Sequence, residues 1–337
     1  MHIVIIFISY CIFTLLSNFL LQYYVDKQTT QNFFIEEKRS KVKHLYLQDK
    51  QVQDYIFIGS SRTLFHISRN IFKKHNLNIY NLGISRTGIT HYVYMVNKIL
   101  ELEVKPKNIV ISISLNMLFN DTHVGPYIDN TMDDFAYALK TKNLDVIYNT
   151  YIGLMKNSGL SSISRAFLKK NLQVLYSKYN VTHLEQREGD LSDEMYSGLD
   201  CKPFDSVNFI MKEIVLCTNG DGVIMKKYIP QPFSNNKIIL DMYNDNYIMY
   251  LKWLIETIHN NNSNPIIIFE PILHANYSYD METIKLKLNT NAIINLTDFN
   301  LADNLWADST HLNLEGRKAY TDKLIKVLVD YEKNLLK

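Results

Sequence analysis

The fold-determining stretch of the chain reads Tyr55-Ile56-Phe57-Ile58-Gly59-Ser60-Ser61-Arg62. Consecutive β-branched and aromatic residues closed by a glycine predict a short strand that is buried on both faces. In open α/β folds, ligands bind beyond the carboxyl ends of such strands, where a tight turn exposes the next residues. The stretch therefore predicts a parallel sheet and places Ser61 at its ligand-binding edge.

Further short apolar runs occur along the chain, at residues 79–82, 109–113, 266–269 and 292–296. Apolar side chains also recur with helical spacing over 89–100, 248–258 and 320–335. Because strands alternate with amphipathic helices, we predict an α/β doubly wound domain with a parallel sheet. Residues 121–243 interrupt this alternation, and we expect the insertion to form a cap over the active site.

The N-terminal segment predicts a membrane anchor. Residues 3–21 carry no charge and are long enough to cross a bilayer, and Tyr23 and Tyr24 follow as interfacial residues would. A retained single-pass anchor is favoured over a cleaved signal peptide, because neither a basic n-region nor an Ala-x-Ala site is present. We therefore expect an anchor (1–24), a polar connector with helical character (25–53) and an extracytoplasmic body (54–337).

The composition and charge of the chain limit the classes of protein to which it can belong. The 337 residues are 47% hydrophobic and 21% charged, which suits one large domain with an insertion or a domain with a small cap. The net charge of +2 and the lack of a dense basic block argue against nucleic acid as a partner. Cys11, Cys201 and Cys217 match no zinc or redox signature; the last two either pair in an exported body or stay as buried thiols.

A second chemical motif, Asp308-Ser309-Thr310-His311, precedes the C-terminal helical pattern. A histidine can act as general base for a serine hydroxyl, and a carboxylate three residues away can orient its ring. The competing interpretation is that Asp308 caps a turn and His311 lies on the surface. A serine candidate at a strand end of the same sheet favours the catalytic interpretation.

Two further loops end strands that we expect to lie beside the first one. Asn81-Leu82-Gly83-Ile84-Ser85 follows the second strand and Ser114-Leu115-Asn116 follows the third. The backbone N–H of Gly83 and the side-chain amide of Asn116 are candidates to stabilise an oxyanion near Ser61.

In order and context, these four blocks resemble the SGNH (GDSL-like) hydrolases, a family with a flavodoxin-like three-layer α/β/α fold. The resemblance covers about 54–120 and 245–335 and leaves the insertion unaccounted for. The resemblance implies that Ser61 is the nucleophile, His311 the base and Asp308 the acid that orients it. It also implies an oxyanion hole formed by Ser61, Gly83 and Asn116.

This sequence departs from the family pattern at several positions. In the first block, Gly59-Ser60-Ser61-Arg62, Ser60 stands where the family has aspartate and Arg62 where it usually has leucine. In the third block, Ser114-Leu115-Asn116, Ser114 stands where the family has glycine. Asn120 competes with Asn116 for the oxyanion role, and we prefer Asn116 because it lies closer to the strand end. The lack of a Gly-x-Ser-x-Gly elbow disfavours the α/β-hydrolase fold.

An anchor followed by a Gly-Ser-Ser block is similar to a branch of this superfamily that works beside membrane-bound O-acyltransferases on cell-envelope polymers. The resemblance implies a serine esterase or O-acyltransferase acting on acyl esters, with acetyl expected, of a surface polysaccharide. The expected partners are an acylated glycan, a membrane-bound O-acyltransferase and the membrane itself; no metal or organic cofactor is implied. The alternatives are a lipid or phospholipid esterase, and an inactive scaffold that binds glycan or the acyltransferase.

Overall fold

The computed structural model describes residues 9–10, 12–13, 16, 30–119, 130–155, 198–209, 212–225, 238–274 and 276–335. The predicted anchor (1–24) lies almost entirely outside these residues, as do Asn120, Cys11 and much of the insertion. Within the described ranges, no helix is both long and apolar enough to cross a membrane.

Helices and strands alternate through most of the described chain. In chain order they are α1 (Thr30–Tyr46), β1 (Tyr55–Gly59), α2 (Ser61–His66), α3 (Arg69–Lys74), β2 (Ile79–Gly83), α4 (Ile89–Leu100), β3 (Asn108–Ile113), a 3-10 helix (Leu115–Leu118), α5 (Met132–Lys140), α6 (Leu144–Met155), β4 (Pro203–Phe209), β5 (Lys212–Cys217), β6 (Gly222–Ile224), β7 (Ile238–Ile239), α7 (Asp245–Asn260), β8 (Asn264–Phe269), β9 (Tyr277–Ser278), α8 (Met281–Leu288), β10 (Ile293–Asn295), a 3-10 helix (Asp303–Leu305) and α9 (Leu314–Leu335).

The five apolar runs predicted as strands form the central sheet, which confirms that prediction. Its order is β10-β8-β3-β1-β2, and all neighbouring strands are parallel. Successive side chains point to opposite faces, so Ile56 and Ile58 enter one apolar core while Tyr55 and Phe57 enter the other. Both faces of β1 are therefore buried, as its continuous apolar sequence requires.

Helices cover both faces of this sheet. Tyr92 of α4 and Leu251 of α7 pack in the first core, and Tyr320 and Leu324 of α9 pack in the second. The chain is therefore an α/β protein with a parallel central sheet and flanking helices, consistent with a flavodoxin-like sandwich. Because the strand order changes direction beside β1, the carboxyl ends of β1 and β3 flank the crevice where such folds bind ligands.

The connector predicted between anchor and body contains α1, which bonds to the end of β2. Lys41 donates to the carbonyls of Asn81 (3.2 Å) and Gly83 (2.6 Å), and Glu37 accepts from the backbone N–H of Ser85 (3.0 Å). Burial lowers the pKa of Lys41 to about 8, against the attraction of Glu37. This helix is therefore bonded to the body and is not a loose tether.

A buried ion pair joins α1 to α5, the first helix of the insertion. Lys38 Nζ lies 2.8 Å from the carboxylate of Asp134, and both side chains are inaccessible to solvent. His91 Nδ1 of α4 lies 3.2 Å from the same carboxylate. Burial alone would raise the pKa of Asp134, but the attraction of Lys38 and His91 outweighs it and holds the pKa well below its usual value.

We expect Lys38→Met to lower the free energy of unfolding by about 3–5 kcal/mol, because it leaves the buried Asp134 charge without its main partner. Denaturant unfolding monitored by circular dichroism measures the loss. Arg39→Met is the matched control, since Arg39 lies 3.7 Å from Asp133 in an exposed pair and should cost no more than about 1 kcal/mol. Equal losses in the two variants would contradict this interpretation.

Candidate active site

Ser61, His311 and Asp308 form one hydrogen-bonded chain at the carboxyl edge of the sheet. Ser61 Oγ lies 2.8 Å from His311 Nε2. On the other side of the ring, His311 Nδ1 lies 3.0 Å from Asp308 Oδ1 and 2.9 Å from Oδ2. A proton on Nδ1, donated to the carboxylate, leaves the Nε2 lone pair facing the serine hydroxyl, as a general base requires.

Ser61 owes its position to a close approach between α2 and the end of β1. The helix begins directly after the strand, with Ser60 as its N-cap residue and the Leu64 N–H donating to the Ser60 carbonyl (3.1 Å). A Cβ at Gly59 would lie 2.8 Å from Thr63 Cβ, so a side chain at this position would force the helix away from the strand. The glycine therefore lets the chain turn from strand to helix within one residue.

The loop that carries His311 is held by Asp308. Its Oδ1 accepts hydrogen bonds from the backbone N–H of Thr310 (2.7 Å) and of His311 (2.9 Å) and from the Thr310 hydroxyl (2.9 Å). The His311 carbonyl in turn accepts from the Ala307 N–H (2.8 Å). The turn capping by Asp308 that the competing interpretation proposed and the contact of Asp308 with the His311 ring thus occur together.

Helix α2 contacts this loop at its other end as well. His66, its last residue, is fully buried and accepts the backbone N–H of Leu312 at Nε2 (3.2 Å). Burial lowers the pKa of His66 well below its usual value, so the ring stays neutral. Phe65 packs edge-on against the His311 ring, with centroids 5.6 Å apart. One short helix therefore carries Ser61 and also bonds to the loop that carries His311.

Gly83 and Asn116 lie at the ends of β2 and just after β3, the two strands that flank β1. The Gly83 N–H donates to the Asn81 side-chain carbonyl (2.9 Å), so this amide already has an acceptor. To stabilise an oxyanion, the Gly83 N–H would first have to break its hydrogen bond to the Asn81 side chain. Asn116 is half-buried on the 3-10 helix that follows β3. Both oxyanion assignments stay predictions.

Asn81 is a structural residue that sequence reasoning missed. Its Nδ2 donates to the carbonyls of Thr63 (3.0 Å) and Ile67 (3.1 Å), at the end of α2, while its Oδ1 accepts the Gly83 N–H. The one available signal was a polar side chain inside a buried strand, which must find partners. Asn81 thereby fastens the helix that carries Ser61 to the neighbouring strand.

The second half of the insertion forms an antiparallel sheet, β4-β5-β6, which the sequence patterns did not predict. Ile224 of β6 packs against Leu64 and Phe65 of α2. The sheet is also bonded to α9, because the buried Arg317 lies 2.6 Å from Asp221. This part of the insertion packs against α2 from one side; the predicted cap stays a prediction, since residues 121–129 and 156–197 lie outside the described ranges.

Cys201 and Cys217 form a disulfide, one of the two alternatives that the sequence left open. It links the start of β4 to the end of β5, and both residues pack with Leu314, the first residue of α9. Because α9 begins three residues after His311, the disulfide packs against the start of the helix that follows the His311 loop.

In the ranges described here, no group of three or more His, Cys, Asp or Glu side chains is arranged to hold a metal ion. The chain matches no protein-family model and no curated protein. Chemical interpretation therefore depends on the geometry of Ser61, His311 and Asp308. This arrangement can transfer the serine proton to the imidazole and so activate the serine oxygen as a nucleophile.

We expect the double variant Cys201→Ser/Cys217→Ser to lose about 2–4 kcal/mol of unfolding free energy, because the bond closes a short loop in the unfolded chain. Thermal or denaturant unfolding of the oxidised proteins measures the difference. A reductant should lower the stability of the wild type to a similar extent and leave the double variant unchanged. A wild-type protein whose two cysteines react with an alkylating reagent before reduction would contradict the pairing.

Proposed function

We propose that the protein is a serine esterase or O-acyltransferase related to the SGNH hydrolases, with Ser61 as nucleophile. The observation that carries the proposal is the hydrogen-bonded chain from Ser61 through His311 to Asp308. The strand order and the position of each residue at a strand end or in the last loop support the same family. Side-chain exposure of 17% for His311 and 18% for Asp308 leaves the site reachable from solvent yet largely shielded.

The reaction would proceed through a covalent acyl-enzyme. Ser61 Oγ attacks the carbonyl carbon of an ester while its proton passes to His311 Nε2. The tetrahedral intermediate collapses, the C–O bond of the leaving alcohol breaks, and that alcohol takes the proton from His311. Water or an acceptor hydroxyl then repeats these steps in reverse order, which releases an acid or a new ester.

Negative charge develops on the carbonyl oxygen during both halves of the reaction, and hydrogen-bond donors must stabilise it. The backbone N–H of Ser61 is one candidate, because Ser61 is the first residue of α2 and the first amides of a helix have no acceptor within the helix. Gly83 and Asn116 are the further candidates from neighbouring strands. Gly83 would contribute only after its N–H exchanges the Asn81 carbonyl for the substrate oxygen.

We expect a fluorophosphonate to label the full-length protein at Ser61, because an activated serine displaces fluoride and forms an Oγ–P bond. His311→Ala should slow labelling by roughly 10⁴-fold or more, since the base of a triad acts together with its nucleophile. Mass spectrometry of the labelled peptide identifies the site.

Ser60→Ala provides the matched control, because it removes a neighbouring hydroxyl outside the proposed triad. It should label at nearly the wild-type rate, whereas Ser61→Ala should not label at all. A folded wild-type protein that resists labelling would favour the alternative of an inactive binding scaffold.

The proposed location is the outer face of a membrane. A disulfide persists in oxidising compartments, so the Cys201–Cys217 bond supports an exported body. The apolar segment 3–21 supports a membrane anchor. We therefore propose acyl esters of a cell-surface polysaccharide as substrates, with a membrane-bound O-acyltransferase as a partner.

We expect the full-length protein to release acetate from an O-acetylated polysaccharide, or to transfer acetyl to one, and to leave phospholipid vesicles intact. Acetate and free fatty acid can be quantified in parallel reactions, with Ser61→Ala as the blank. Release of fatty acid without release of acetate would replace this substrate assignment with the lipid-esterase alternative.

A further inference from the structure

A buried carboxylate lies beneath the nucleophile candidate. Glu270 follows β8 directly, and its side chain is 1% exposed. Its Oε1 accepts hydrogen bonds from Ser112 Oγ of β3 (2.7 Å) and from Thr63 Oγ1 of α2 (3.4 Å). Its Oε2 lies 3.9 Å from Arg62 Nε. One side chain thus contacts both residues that follow Ser61 as well as the neighbouring strand.

Burying the charged groups of Glu270 and Arg62 costs free energy of folding. Burial raises the pKa of Glu270, and the attraction of Arg62 and the Ser112 hydrogen bond oppose that rise only in part. Among the described residues, Arg62 Nη1 is buried and has no hydrogen-bond partner, and the same holds for the hydroxyl of Tyr320 nearby. Buried ion pairs seldom stabilise a fold more than apolar residues of similar size would. A role at the adjacent nucleophile explains the pair better than stability does.

The loop that begins at Glu270 also reaches the loop of the base. The Leu273 N–H donates to the Ser309 carbonyl (3.2 Å), between Asp308 and His311 in the chain. The segment after β8 therefore contacts α2 at one point and the histidine loop at another. These are the two elements whose relative placement sets the 2.8 Å distance between Ser61 Oγ and His311 Nε2.

We propose that Glu270 is a positioning residue, which holds Arg62 and Thr63 and so fixes the first turn of α2 with Ser61 facing His311. The inference rests on the proposed function, because its consequence is the reactivity of Ser61. A displacement of about 1 Å in a reacting group can lower a rate by roughly 100-fold. The pair would thus affect reaction rate through geometry, without touching the substrate.

Glu270→Gln tests the inference in the full-length protein. The amide keeps the size of the side chain and an acceptor for Ser112, but it removes the negative charge that faces Arg62. We expect fluorophosphonate labelling of Ser61, normalised to the folded fraction, to slow by roughly 10- to 100-fold. Arg62→Met should slow it to a similar extent and Arg62→Lys less, since lysine keeps the charge. The double variant Arg62→Met/Glu270→Gln should be no slower than either single variant, because the two residues act as a unit.

Asp134→Asn is the matched control, since it also removes a buried, paired carboxylate but lies on α5 beside Lys38. It should lower stability and leave the labelling rate of the folded protein unchanged. Glu270→Gln and Arg62→Met proteins that label as fast as the wild type would overturn the positioning role alone. A wild-type protein that does not label would instead overturn the proposed function and this inference with it.

Discussion

The site depends on two glycines that end neighbouring strands, because α2 packs directly against the backbone at both positions. Gly59 and Gly83 are paired in register at the ends of β1 and β2, and α2 lies directly against both. A Cβ at Gly59 would lie 2.8 Å from Thr63 Cβ, and a Cβ at Gly83 would lie 2.8 Å from Leu64 Cα. Because close-packed interiors cannot absorb such overlaps without displacement, α2 can begin at Ser61 only while both positions remain glycine.

Once α2 is seated, its side chains determine the geometry around it. Ser61 at its start and His66 at its end bond to consecutive residues of one loop, His311 and Leu312. Phe65 joins them by packing on one side against the His311 ring and on the other within the apolar cluster that includes Ile224 of the insertion. The 2.8 Å distance between Ser61 Oγ and His311 Nε2 thus depends on a helix that contacts the His311 loop, β2 and the insertion sheet, and not on the two side chains alone.

Sequence patterns predicted the parts of this site that depend on local order. The apolar run before Ser61 and the three-residue spacing of Asp308 and His311 are local signals, so the strand, the turn after it and the Asp308–His311 contact could be expected. The role of Glu270 could not, because its partner Ser112 lies 158 residues away in the chain. Asn81 gave one signal, a polar side chain inside an apolar strand, but that signal does not identify its partners. The sheet β4-β5-β6 was missed for a different reason. In β4 polar residues separate Phe204, Val207 and Phe209, so this strand lacks the continuous apolar run that marks β1 and β3.

Buried ion pairs recur where elements outside the parallel sheet attach to the body. Lys38 with Asp134 and Arg317 with Asp221 each join residues 96 positions apart. Among the described side chains of α1, residues 37–46, Val42 and Leu45 contribute buried apolar surface, and Lys38 and Lys41 contribute buried charge. A buried charge without a partner raises the free energy of the folded state. Any arrangement of these elements that separates the partners of a pair is therefore less stable. We infer that these charges select one placement of α1 and of the insertion sheet. The two pairs act at different places: Arg317 with Asp221 fixes the insertion sheet, which packs on α2, the helix that begins at Ser61, whereas Lys38 with Asp134 fixes α1 against α5.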